Sequence, residues 1–205
     1  SFFGNANPLV LELACGRGEY TIGLARLFPN QNFLGVDVKG NRMYIGARQA
    51  LDNQQTNAGF LRTQIEMIAD YFAPGEVSEI WITFPDPQLR TSKAKKRLTH
   101  PRFLRLYQKI LKPGGKIHLK TDSPDLYQFT RFILEKYQIS IITNVDDVYG
   151  KGDPGPVLSI QTHYEKLDIA QSKRTFYLCF SLEHPLPASD EGLQDLLKQR
   201  EQIAG

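Results

Sequence analysis

Short apolar runs alternate with amphipathic stretches along the whole chain, and their spacing predicts the elements. Residues 8–13 (PLVLEL), 32–36 (NFLGV), 60–61, 79–84 (EIWITF), 116–121, 139–145 and 174–182 read as strands. Helical spacing covers 18–27, 41–51, 65–72, 101–111 and 124–137; the second of these carries apolar Met43, Ile45, Ala47 and Leu51, and the fourth would turn Phe103, Leu104, Leu106, Ile110 and Leu111 inward. Pro124 opens its helix, as proline commonly does at a first helical position. Pro29, Pro74-Gly75 and Pro113-Gly114-Gly115 close the elements before them. The order βαβαβαβαβαββ predicts an α/β fold, with a mostly parallel seven-stranded sheet covered by helices on both faces and ending in an antiparallel pair.

A chain of 205 residues suits one such domain, expected over 1–188 with a loop-rich insertion at about 146–173. That insertion contains Tyr149-Gly150-Lys151-Gly152-Asp153-Pro154-Gly155-Pro156. Residues 189–205 read as an acidic tail or a peripheral helix. Hydrophobic residues at 41% and charged residues at 23% exclude a disordered or fibrous chain. No apolar run reaches the roughly 18 residues of a membrane span, and Ser1-Phe2-Phe3-Gly4-Asn5 is unlike a signal peptide. Cys15 and Cys179 form no disulfide framework, and neither they nor the four histidines have metal-ligand spacing. A cytoplasmic protein without membrane or metal, monomeric or homodimeric, is expected.

The net charge of +3 is modest, but its distribution is uneven. Arg90, Lys93, Lys95, Lys96, Arg97, Arg102 and Arg105 fall in one 16-residue segment with no acid. A polyanion contacted at one edge fits this pattern, and a solvated loop is the plain alternative.

Ligands of such sheets sit outside the carboxyl ends of the strands. The first strand runs into Glu12-Leu13-Ala14-Cys15-Gly16-Arg17-Gly18, where Gly16 and Gly18 permit a tight turn and close approach by a ligand. A dinucleotide fingerprint would need a third small residue where Thr21 stands. A glycine turn behind an acidic strand residue suits S-adenosylmethionine better, because a carboxylate favours its amino group and sulfonium. An ordinary strand-to-helix turn is the simpler reading. Asp37, at the end of the second strand, could accept both hydroxyls of an adenosine ribose or cap the following helix. After the fourth strand, Phe84-Pro85-Asp86-Pro87 holds a carboxylate between two prolines, which restrict its backbone.

With the basic run 93–97, Pro101-Arg102-Phe103-Leu104, Leu111-Lys112-Pro113-Gly114-Gly115, Thr121-Asp122 and Thr162-His163-Tyr164-Glu165, the chain resembles the bacterial tRNA (guanine-N7)-methyltransferases from about residue 9 to 182. The resemblance implies a Rossmann-like class I methyltransferase fold. It also implies S-adenosylmethionine contacts at Glu12 and Asp37, and a catalytic or guanine-side role for Asp86. Contacts to tRNA are implied near Arg90 and at Asp122, Thr162, Tyr164 and Glu165, with Lys93, Lys95, Lys96 and Arg97 on phosphates. Ala14 stands where the family usually has glycine, Gln64 where a carboxylate often meets the adenine amino group, and Gln88 where tryptophan is usual. Arg90 replaces a common lysine, which keeps the charge and alters its geometry.

The expected activity is transfer of a methyl group from S-adenosylmethionine to N7 of a guanine in tRNA, at position 46 of the variable loop. The alternatives are a methyltransferase for another substrate, a non-catalytic RNA-binding protein of the same fold, and an NAD oxidoreductase, which Thr21 disfavours.

Overall fold

The structure, a computed structural model, describes residues 2–150, 152–167 and 171–204; Lys151 and residues 168–170 of the insertion lie outside them. Seven strands form one sheet: β1 (Leu9–Leu13), β2 (Asn32–Asp37), β3 (Ala58–Arg62), β4 (Val77–Thr83), β5 (Leu111–Thr121), β6 (Ser140–Val145) and β7 (Phe176–Ser181). Their order across the sheet is β3-β2-β1-β4-β5-β7-β6. The first five are parallel, and β7 runs antiparallel to both β5 and β6. Leu111 joins β5 five residues before the expected start, because it pairs with Val77 ahead of a bulge that ends where Glu79 pairs with Lys116.

Side chains alternate across a strand, and both faces of this sheet are covered. Leu11 and Leu13, Ile80 and Ile82, Ile117 and Leu119, and Leu178 and Phe180 share one core. Covering it are α3 (Pro101–Ile110), α4 (Pro124–Lys136) and α7 (Leu193–Ala204). The opposite face carries Val10, Phe33, Trp81, Tyr177 and Cys179, packed against Tyr20, Leu24 and Ala25 of α1 (Glu19–Leu27) and against Val148 and Val157 of the insertion. The same alternation puts Glu12, Asp37, Thr83 and Lys120 on the α1 face, near the carboxyl ends of their strands.

Proline opens α3 and α4, and residues just before them cap both: His100 Nδ1 accepts from Arg102 N at 3.2 Å, and Ser123 Oγ accepts from Leu126 N at 3.2 Å. In α2 (Gly40–Asp52) the buried residues are Met43, Gly46 and Ala50, whereas Ile45 and Leu51 are exposed. Two of its large apolar residues thus face outward. A Cβ at position 46 would lie 2.4 Å from the Arg17 carbonyl oxygen, so the helix packs through its small residues. Residues expected as a helix over 65–72 form a 3₁₀ turn at Ile65–Asp70. Within the insertion are two short helices, α5 (Gly155–Leu158) and α6 (His163–Leu167).

The acidic end is no free tail. Leu193 and Leu197 of α7 are buried in the main core, and Arg105 holds Asp190 through two hydrogen bonds of 2.9 and 2.6 Å. Tyr137 Oη donates to the same carboxylate at 2.8 Å. Replacing Asp190 by Ala should cost roughly 1–3 kcal/mol, the usual loss when half-buried charged partners are orphaned. Denaturant unfolding with an unchanged slope, together with faster amide exchange confined to α7, is the expected result.

Candidate active site

A cleft of about 730 Å³ opens at the carboxyl edge of the sheet, walled by Gly16, Asp37, Asp86, Asp122 and Tyr164 among others. Three strands of the parallel part of the sheet deliver acids to it: Asp37 ends β2, Asp86 follows β4 and Asp122 follows β5.

Asp37 braces the backbone on both sides of it, and no side-chain hydrogen bond caps α2, whose N-cap is Lys39. Its Oδ2 accepts from Gly16 N at 2.9 Å, tying the glycine turn to β2, while Oδ1 accepts from Lys39 N at 2.9 Å beside the start of α2. Each oxygen keeps a further lone pair, and the residue still borders the cleft. Gly16 has φ +55° and would place a Cβ 3.1 Å from the Tyr164 ring, so the turn and the ring fit only with glycine there. Arg42 lies over that ring, 5.2 Å from its centre.

The Asp86 segment is held in an uncommon backbone conformation. Phe84 has φ 47° and Gln88 φ 48°, a left-handed region that residues other than glycine rarely occupy. Gln88 N donates to Asp86 Oδ1 at 3.0 Å, and Asp86 is exposed to the cleft. Ala14, at the end of β1, also has a positive φ, 56°. That conformation gives a physical reason for the glycine usual at this position.

Three residues expected at the cofactor lie off the cleft wall. Glu12 is fully buried and does not wall the cleft. Its Oε2 accepts from Thr21 N at 2.8 Å and from the Thr21 hydroxyl, and its Oε1 from Thr83 Oγ1 at 2.7 Å. Glu12 therefore joins α1 to β4 beneath the turn. Gly18 is also absent from the cleft wall: with φ +74° it starts α1, and a Cβ there would meet Phe60 at 2.4 Å. Gln64 is exposed just after β3 and does not border the cleft.

Arg97 is not a surface cation. It is buried, donates from Nε to Pro87 O at 3.1 Å and from Nη2 to Gln88 O and Leu89 O at 3.0 and 3.1 Å, and lies over Phe129. This guanidinium clamps the loop that carries Asp86. Arg102 pairs with Glu66 and Arg105 with Asp190, which leaves Arg90, Lys93, Lys95 and Lys96 as the exposed bases of the segment.

Thr162 is buried, and its hydroxyl accepts from Glu165 N at 3.0 Å. Glu165 does not present its carboxylate to the cleft. It pairs with Lys120 Nζ at 2.9 Å and accepts from Tyr149 Oη at 2.6 Å, with only 6% of its side chain exposed. The sequence pattern did not reveal Lys120, although a lysine inside a strand buried on both faces requires a partner. Nor did it reveal Lys39 and Arg42, which border the cleft from the start of α2. Among the described residues, no group of three or more His, Cys, Asp or Glu side chains could hold a metal ion, and no helix is long and apolar enough to cross a membrane.

The profile of a family described as "Putative methyltransferase" matches residues 6–178. The solved 16S rRNA methyltransferase KamB superposes with a TM-score of 0.64 over 91% of each chain, at 14% identity. A solved S-adenosylmethionine-dependent methyltransferase from Aquifex aeolicus gives 0.58, over 87% of this chain and 84% of its own, at 16% identity. The fold is thus that of the Rossmann-like class I methyltransferases. Among curated relatives, the tRNA (guanine-N(7)-)-methyltransferase of Porphyromonas gingivalis is 50% identical over 90% of this chain and 75% of its own, and that of Bacteroides thetaiotaomicron 49% over 88% and 71%. The chain belongs to the tRNA (guanine-N7)-methyltransferase family.

Burial, the largest influence, raises the Glu12 carboxyl to about 7, against the hydrogen bonds from Thr21 and Thr83 that favour its ionised form. A raised carboxyl stabilises the fold fully below about pH 4.5 and loses that contribution as pH climbs through about 7. Burial lowers His100 to about 4, so its contribution runs the other way and is lost as pH falls from 6.5. Comparison of wild type with Glu12→Gln cancels the His100 contribution. The stability difference should change with pH by up to about 1.4 kcal/mol per unit between pH 4.5 and 7, and level off above. Urea unfolding of both proteins across that range checks it.

Proposed function

We propose that this chain transfers the methyl group of S-adenosylmethionine to N7 of a guanine in tRNA, at position 46 of the variable loop. The observation that carries this reading is the meeting of Asp37, Gly16 and Asp86 in one cleft, in a chain 50% identical to a tRNA (guanine-N(7)-)-methyltransferase. The residues present suit the cofactor. Asp37 can accept from ribose hydroxyls, and the glycine turn lets a ligand approach the backbone. When bound, S-adenosylmethionine supplies a methyl group on a sulfonium, a strong electrophile.

Guanine N7 has an in-plane lone pair and no proton, so attack on the methyl group needs no general base. What the protein contributes is placement and electrostatics. As the methyl group arrives, positive charge grows on the guanine ring and its N1–H and N2–H become better donors. Asp86, fixed by its turn and by the Arg97 clamp on Pro87, Gln88 and Leu89, holds a carboxylate at the cleft where that charge develops. An interaction that strengthens as charge develops lowers the barrier, whereas one equally strong throughout does not. Asp122, on the same wall, and the exposed bases beside Leu89 face the tRNA. This reading places the protein in the cytoplasm, and a family of tRNA enzymes supports that location.

Incubation with isotope-labelled S-adenosylmethionine and unmodified tRNA should give N7-methylguanine, located by its lability to strand scission; no incorporation into tRNA would refute the reading. Asp86→Asn keeps the shape and loses the charge. It should lower the single-turnover rate by about 10²–10³, with far smaller changes in cofactor and tRNA binding. An Asn variant as fast as wild type would remove Asp86 from the chemistry.

The basic segment makes a separate prediction. Neutralising Lys93, Lys95 or Lys96 should flatten the dependence of log K for tRNA on log salt by roughly 0.7–0.9 for each phosphate that the side chain neutralises. Arg97→Met should instead destabilise the fold by roughly 1–3 kcal/mol, because it removes a buried guanidinium that ties together three carbonyls of the Asp86 loop. A salt titration and an unfolding curve for each variant separate the two roles.

A further inference from the structure

Lys120 is fully buried on the α1 face of β5, directly before Thr121-Asp122. Its ammonium lies 2.8 Å from Leu158 O, 3.0 Å from Ile160 O, 3.2 Å from Tyr149 Oη and 3.0 Å from Glu165 Oε2. All four acceptors belong to the insertion, 29 to 45 residues further along the chain. One charge thus gathers a strap, residues 157–165, onto the sheet. Tyr20 Oη of α1 adds a bond to Val157 O at 3.0 Å, and Ile160 fills the space over Gly23. At the end of this strap Tyr164 lies on Gly16 and forms one wall of the cleft.

We propose that Lys120 is a positioning residue for the methyl-transfer site: by fixing the strap it sets the Tyr164 ring against the glycine turn and so completes the cofactor pocket. The inference rests on the reading of this cleft as the S-adenosylmethionine site. Stability alone is a poor reason for a buried ion pair, since well-packed apolar side chains of similar size often stabilise a fold as well or better. What an ammonium adds is direction. It fixes two backbone carbonyls, a phenol and a carboxylate relative to one atom of β5, which an apolar side chain cannot do.

The test pairs Lys120→Met with Glu165→Leu, so that no charge is left unpartnered. The paired variant should fold, exchange its amides over 157–165 at least tenfold faster than wild type, and bind S-adenosylmethionine at least tenfold more weakly by calorimetry. Tyr164→Ala should weaken binding about fivefold in wild type and less than twofold in the paired variant, because both changes remove the same wall. Such non-additivity would not arise from a general loss of stability. If the paired variant fails to fold, Glu165→Gln, which keeps an amide acceptor, is read in the same way with smaller effects. Unchanged exchange over the strap, unchanged affinity in the variant, or losses that simply multiply would overturn the role of Lys120. Wild-type protein that binds no S-adenosylmethionine would overturn the reading of the cleft instead, which the exchange measurement does not depend on.

Discussion

A charge within a sheet covered on both faces is tolerated only when its partners are in place, and the carboxyl edge of this protein is organised around that constraint. Lys120 is completely buried, and burial pushes its ammonium pKa down while Glu165 resists the shift. Leaving it without Glu165 would strand a cation in an apolar layer. The insertion therefore has to fold back over α1, and that return path brings Tyr164 to Gly16. Glu12 is a smaller case of the same rule. Its carboxyl is satisfied only by Thr21 and Thr83, which fixes the start of α1 relative to the end of β4.

These buried polar links leave the cleft itself to groups of a different kind. Asp86 is exposed and Asp37 is buried at the cleft wall, each steadied through one or both carboxylate oxygens by nearby backbone N–H groups. Support comes from behind, where Arg97 grips the carbonyls of the Asp86 loop and Glu12 lies beneath the turn. The groups behind the cleft wall are buried and hydrogen-bonded. The positive φ values at Ala14, Phe84 and Gln88 mark where the chain bends sharply to present this edge.

The family-level function and the site roles differ in their support. Membership rests on half-identical relatives matched over most of the chain, and the solved structures, all distant in sequence, speak to the fold. Individual roles rest on geometry. Glu12, Gly18, Arg97 and Glu165 make buried or supporting contacts, and Asp37, Asp86, Asp122 and Tyr164 line the cleft.

The sequence by itself determined what depends on local pattern. Periodicity and turn residues located all seven strands, and prolines marked the starts of α3 and α4, because backbone preference and side-chain alternation act over a few residues. The motifs F-P-D-P and T-D, at strand ends, located two carboxylates of the cleft, because the parallel strands of such a sheet all end at the same edge. Tertiary structure alone decided which charges face water. Lys96 and Arg97 are neighbours in one basic run, yet one is exposed and the other is buried beneath the Asp86 loop. Lys120 and Glu165 are 45 residues apart, and no spacing rule pairs them. Burial and pairing depend on what the rest of the chain brings alongside a side chain, and a linear pattern does not contain that information.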